Sequence, residues 1–221
     1  MLKIDEGVGK AYPGAKMGIL IMKDVSYSNP YPDREIDVVI DELGQKYAYL
    51  DRKELKELYP VNAYIAYYKK FGYKYHLLAQ LESVLQGKKA LNSDSGLLLA
   101  MFLSEIDSML LTAGHDLSKL QLPLQLKTAT GTEIYQSISG KEVIAVSGDL
   151  ILSDGNGTIS SILRGPDQRS CITASTSEVL FSIYAPPGID EEHIETNLRK
   201  LESKVNISSP AAKTEVLQVF S

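Results

Sequence analysis

The sequence predicts an α+β fold, with helices mostly in the first half and strands mostly in the second. Three observations carry that prediction. Apolar residues recur at helical spacing through most of residues 33–113. From Leu120 the texture changes to short strand-like runs, cut by Gly131, Gly140, Gly148 and Gly155–Asn156–Gly157. A late segment, "DEEHIETNLRKLESKV", is amphipathic and runs from acidic to basic, as the helix macrodipole prefers. No internal repeat or low-complexity linker interrupts the 221 residues, so residues 1–221 read as a single domain.

The elements follow in order. "KMGILIMKDV" comes after Pro13–Gly14 and is almost wholly apolar, the pattern of a buried strand. "NPYPD" is a turn that leads into "REIDVVIDELGQKY", where Ile36, Val39, Ile40 and Leu43 share one helical face. "DRKELKELYP" is a short charged helix stopped by Pro60. "VNAYIAYYKKFGYKY" continues helically to about Phe71, with Gly72 as its stop, and "HLLAQLESVLQGKK" repeats the pattern to Gly87. The best helix lies in "NSDSGLLLAMFLSEIDSMLLTAG". Asn92, Ser93, Asp94 and Ser95 are its N-cap candidates, and an apolar stripe runs from Leu99 to Ala113. Gly114 stands where a left-handed C-terminal residue belongs. "DLILSDGNGTISSIL" reads as a hairpin turning at residues 154–157, and "EVLFSIYAP" as another buried strand. The tail "AAKTEVLQVFS" would add an edge strand.

Composition narrows the function classes. The chain is 44% hydrophobic and 23% charged, as soluble globular proteins are. Its longest purely apolar run, residues 97–103, is far short of the roughly 20 residues of a membrane span, and the N-terminus has no secretory pattern. One cysteine, Cys171, allows no intrachain disulfide and fits a reducing cytoplasm. No cysteine cluster or paired-histidine spacing is present to hold a metal, so neither metal nor organic cofactor is expected. A net charge of −5 argues against broad non-specific nucleic-acid binding but leaves room for a local basic patch.

Three passages, taken in this order and spacing, resemble the stand-alone B3/4-domain proteins. These are relatives of the editing module in the beta subunit of bacterial phenylalanyl-tRNA synthetase. The first is "AYYKKFGYKYHLLAQLESVLQGKKALNSDSGLLLAMFL". The second is "GHDLSKL" followed by "LPLQLKTATGTEIYQSISGKEVIAVSGDLILSD". The third is "ILRGPDQRSCITASTSEVLFSIY". The resemblance covers residues 15–205. It implies a layered sandwich of sheet and helices with a pocket between them. It also implies a free-standing factor that acts on, or senses, an aminoacyl group attached to tRNA. The alternative is a non-catalytic module that keeps the pocket and binds tRNA, an amino acid or a small metabolite. The chain departs from the synthetase pattern at two positions. Ala113 stands three residues before Asp116, where the module has histidine, and Phe181–Ser182 stand where it has glutamate. No catalytic residue is therefore assigned.

The candidate ligand residues fall in two places. Thr112, His115 and Asp116 lie in "LLTAGHDLSKL", where His115 is either a water-orienting group or merely part of a turn that Asp116 caps. Arg164, Asp167, Gln168, Arg169, Thr173 and Thr176 lie in the loop "RGPDQRSCITAST". There the arginines would hold a phosphate or carboxylate, and the polar residues an amino group or amide. The opposing reading is a hairpin loop with solvated charges. For RNA contact the candidates are Lys69, Lys70, Lys74, Lys88 and Lys89, interleaved with tyrosines in "YYKKFGYKY" or just beyond it. The opposing reading there is half-buried rings beside a solvated face.

Overall fold

The computed structural model describes residues 1–87, 91 and 93–221. Lys88 and Lys89, two RNA-contact candidates, and Asn92, an N-cap candidate, lie outside the described residues. The chain opens with β1 (Leu2–Ile4) and α1 (Glu6–Ala11), then β2 (Lys16–Lys23). Four helices follow: α2 (Asp33–Tyr47), α3 (Arg52–Glu57), α4 (Val61–Lys70) and α5 (Leu77–Leu85). Next come α6 (Gly96–Ser108), β3 (Thr112–Asp116), β4 (Leu124–Thr128), β5 (Ile134–Gln136) and β6 (Glu142–Ile144). The chain ends with β7 (Leu150–Asp154), β8 (Gly157–Ser161), β9 (Gly165–Pro166), β10 (Glu178–Ala185), α7 (Glu191–Ser208) and β11 (Lys213–Phe220). The fold is α+β, as the sequence predicts.

Two sheets are stacked. The first has the order β11-β2-β10-β3 and is antiparallel throughout. Its inner strands β2 and β10 pair over eight residues each, from Lys23↔Glu178 to Lys16↔Ala185. Both faces of these strands are covered, which is why their sequences are continuous apolar runs rather than alternations. One face receives the helices: a Cβ at Gly18 would meet Ile194 and Leu198 of α7. The opposite face meets the second sheet, β1-β4-β7-β8-β9, where the Tyr184 hydroxyl bonds Ser160 of β8. The small ribbon β5-β6 stands apart, bridged to the second sheet at Ser137↔Asp167.

The end of α6 departs from expectation. The helix stops at Ser108, Met109 adopts a left-handed conformation (φ 56°), and Gly114 lies inside strand β3 rather than at a helix terminus. The cause is tertiary. The Leu111 carbonyl accepts from Tyr184 N–H (3.1 Å), and β3 then closes the edge of the first sheet against β10. Local groups make the break affordable: Tyr75 Oη donates to the Met109 carbonyl (2.7 Å), and Leu110 N–H donates to Ser108 Oγ (3.1 Å). Glycine at 114 permits a close approach. A Cβ there would lie 2.8 Å from Ile172 Cδ1 and 2.9 Å from Met101 Sδ.

The tyrosines of "YYKKFGYKY" divide between core and surface. Tyr67, Tyr68 and Tyr75 are buried, and their hydroxyls bond Asp149, the Ile162 carbonyl and the Met109 carbonyl. They fasten α4 and the segment after it to the second sheet and to the end of α6. Only Tyr73 reaches the surface. Among the described residues no helix is long and apolar enough to cross a membrane.

Candidate functional site

Where the edges of the two sheets face each other under α6, a cavity of about 420 Å³ opens to solvent. Leu98, Met101 and Glu105 of α6 form one wall. Thr112, Ala113 and Gly114 of β3 form the floor, with Ile172 and Tyr184 beside them. The connection from β8 to β9 supplies the opposite wall, Ser160 to Pro166, and Ile138 and His76 stand at the rim. The lining is mostly apolar with a few polar groups, the usual make-up of a small-molecule site.

Two charged residues belong to this cavity. Glu105 is buried on the inner face of α6, and its Oε1 accepts the Thr112 N–H at 2.9 Å. Arg164 lies at the mouth on the turn between β8 and β9. Its guanidinium is exposed, stands 5.4 Å above the Tyr73 ring, and is in no ion pair among the described residues. Charge is thus separated along the cavity, acid inside and base at the entrance.

Tyr73 also lines a second concavity, a groove of about 540 Å³ along α3, α4 and the segment after α4. Its basic residues are Arg52, Lys56, Lys69 and Lys74, and no carboxylate is among its lining residues. Arg52 pairs with Glu82 at 3.1 Å, while the three lysines are in no ion pair among the described residues. The remaining RNA-contact candidate, Lys70, lies over the Tyr12 ring at 4.8 Å instead. A third groove, about 570 Å³ between α2 and α7, is also rich in lysine, but its cations are spent internally. Asp107 is ringed there by Lys46, Lys200 and Lys204, and Arg199 pairs with Glu195.

The structure separates the sequence-named ligand residues. Thr112 and Arg164 line the cavity. The rest do not. His115 is fully buried and its Nδ1 lies 2.7 Å from Ser170 Oγ. Ser170 Oγ donates to Asp167, so it accepts from the His115 Nδ1–H, and the bare Nε2 is buried with no partner among the described residues. Serine, histidine and aspartate are all present, but the hydroxyl is directed at the carboxylate and not at the imidazole. The imidazole is therefore not placed as a base for the serine. Burial, helped by the nearby Arg169 charge, pulls the His115 imidazole down to about 4. Burial likewise pushes Asp167 above its ordinary value, against the opposing bonds from Ser170.

Asp116 accepts from Ser118 N–H (3.1 Å) and Thr176 Oγ1 (2.7 Å) and caps the 3-10 turn of residues 117–119. Burial would raise its carboxyl, but the Ser118 and Thr176 bonds and the Lys119 charge together hold it low. Arg169 makes two bonds to Asp154, at 2.9 and 3.0 Å, which the sequence gives no reason to pair with it. Thr173 closes a local turn with Thr176 and Ser175. Gln168 is exposed beside Gly140.

Sequence reasoning missed Glu105, Met101, Ser160 and Tyr184. One signal was available for Glu105, a lone acid inside an apolar helical stripe. Among the described residues no group of three or more His, Cys, Asp or Glu is placed to hold a metal ion.

No protein-family model and no curated protein matches the chain. Among solved structures, an N-terminal fragment of the phenylalanyl-tRNA synthetase beta-subunit from Pyrococcus horikoshii resembles it loosely. The TM-score is 0.49 and the identity 12%, over 100% of this chain and 54% of the fragment. The chain therefore spans about half the length of that neighbour.

Proposed function

We propose that the chain recognises an aminoacyl group carried on the end of an RNA strand. One observation carries this reading. The apolar cavity and the basic groove adjoin where Arg164 lies over Tyr73 and where Tyr75 meets His76. A ligand that fills both must be apolar and small at one end and polyanionic at the other. The cavity volume suits an amino-acid side chain with its acyl group. Three lysines without acidic partners among the described residues suit the phosphates that follow.

The reading is one of recognition first. The positions where the synthetase module has histidine and glutamate hold Ala113 and Phe181–Ser182, and Ala113 and Phe181 offer no titratable group. The test measures binding of a short RNA ending in an aminoacylated 3′ adenosine, the same RNA uncharged, and the free amino acid. Tightest binding of the charged RNA is expected, with log affinity falling by roughly 2 per log unit of salt for three lysine contacts to a single strand. Equal binding of charged and uncharged RNA would remove the cavity from the account. Saturable binding of the amino acid alone, with no salt dependence, would replace the reading with a metabolite-binding module. Release of the amino acid above background in the same tubes would add ester hydrolysis by a positioned water.

A further inference from the structure

The floor of the cavity is a strand edge, and the protein fills that edge incompletely. Because Tyr184 N–H bonds the Leu111 carbonyl, residues 111, 113 and 115 of this antiparallel pair direct their backbone groups at β10. Residues 112, 114 and 116 therefore direct theirs outward. The Thr112 N–H is taken by Glu105 (2.9 Å) and the Asp116 N–H by the Ser170 carbonyl (2.8 Å). Between them lies Gly114, which lines the cavity. With no side chain, it can line the cavity only with backbone atoms. Among the described residues the Gly114 N–H has no partner, and it is flanked by two outward N–H groups that the protein has closed itself.

We infer that Gly114 pairs with the ligand's α-aminoacyl unit as with one added residue of an antiparallel strand. The inference rests on the function proposed above and adds to it a binding atom and a handedness. In a hydrogen-bonded antiparallel pair two residues exchange both N–H···O bonds. An α-aminoacyl group has what one such residue needs. Its carbonyl oxygen accepts from the Gly114 N–H, and its ammonium donates to the Gly114 carbonyl, on the Asp116 side and away from Glu105, which holds the Thr112 N–H. Paired residues project their side chains to the same face of a sheet. A Cβ on Gly114 would point at Met101 and Ile172, so an L-configured ligand residue sends its side chain to that apolar side. A D-configured residue sends it to the opposite face, the side of Tyr184 and Ser160, whose hydroxyls already bond each other.

The experiment uses unmodified 15N-labelled full-length protein. The probes are 3′-deoxy-3′-(L-leucylamido)adenosine, which cannot be hydrolysed at the ester position, its D epimer, and the analogue lacking the α-amino group. The L probe is expected to move the Gly114 amide proton downfield and slow its exchange with solvent. The D epimer and the des-amino analogue are expected to bind at least tenfold more weakly. If the L probe perturbs Leu98, Met101 and Arg164 but leaves the Gly114 amide unmoved, the pairing is wrong while the proposed function stands. Equal binding of the L and D probes overturns the pairing as well. If no probe perturbs the cavity at all, both the pairing and the function it rests on fall.

Discussion

Strand β3 is five residues long, and its two ends have opposite characters. At the far end, His115 and Asp116 sit in a network that is polar, buried and nearly complete. Asp116 is held by Ser118 and Thr176, His115 by Ser170, and Arg169 by Asp154 and Asp167. At the near end, Thr112 and Gly114 face a mostly apolar cavity whose polar groups are few and widely spaced. A dense cluster of titratable side chains announces chemistry in a sequence. In the folded chain it is the cluster whose members answer one another. A ligand is served where the protein leaves a donor or a charge unanswered, and here that place is the sparser end.

The largest expected effect tests the far end as structure. Asp154 has a fully buried carboxylate that receives two bonds from Arg169 and one each from the Gln121 and Asn156 backbone N–H groups. Asp154→Ala removes all four and leaves the guanidinium without its main partner. A loss of about 4 kcal/mol is expected in urea denaturation, with affinity for the charged RNA unchanged in whatever fraction remains folded. A stable variant that no longer binds would reverse the roles of the two ends.

How far the sequence reveals this division depends on which forces set each part. The apolar stripe of α6 and the turn between β7 and β8 are local signals, and both are legible. So is the late helix α7, which begins beside Asp190 as its acidic start suggests. β3 is not legible. "TAGHD" has no alternation and few good strand formers, and it becomes a strand because β10 offers an edge. Gly114 then changes meaning, from a helix stop to a position where any Cβ would press on Met101 of α6 and on Ile172. Thr112 and Arg164 are visible in the sequence as polar residues in suggestive places. The walls of the cavity are ordinary leucine, methionine and isoleucine, which nothing local distinguishes from core.

A second prediction uses pH to probe the far end. The His115 imidazole titrates near 4 in the folded chain, against about 6.5 when unfolded. As pH falls below 6.5 the unfolded state takes up the proton first. The stability contributed by the neutral ring is full above that value and drains away down to about 4, by up to about 3 kcal/mol. The difference between wild type and His115→Gln isolates this contribution from the neighbouring Asp154 and Asp167. The variant's stability is expected to vary less with pH across the window 4 to 6.5. Parallel curves for the two proteins would mean that His115 is not buried as a neutral ring.

At the near end the effects are smaller in stability. Gly114→Ala places a methyl group against Met101 Sδ and Ile172 Cδ1. Both contacts are the far ends of flexible side chains that must shift, with Phe181 Cε1 a third neighbour at 3.2 Å, so a cost of about 1–2 kcal/mol is expected. Adding Met101→Ala should return part of it, a favourable coupling readable in a double-mutant cycle. Strictly additive losses would show that the two residues do not share the cavity wall.

The smallest stability effect should accompany a large effect on binding, and that contrast decides what the near end is for. Arg164 is exposed, and its guanidinium lies over the Tyr73 ring, a cation–π pair of about 0.5–1 kcal/mol at such a site. Arg164→Gln is therefore expected to change unfolding free energy by no more than that. Yet Arg164 stands where cavity and basic groove meet, beside the path of a ligand spanning both. The variant should lose about tenfold in affinity for charged RNA, as removal of a charge-assisted hydrogen bond commonly does. It should lose much less for the free amino acid, which occupies the cavity alone. Equal losses for both ligands would confine Arg164 to the cavity and cut the link to the groove. No loss for either would leave the near end as empty of function as the far end, and the asymmetry of β3 would be one of packing only.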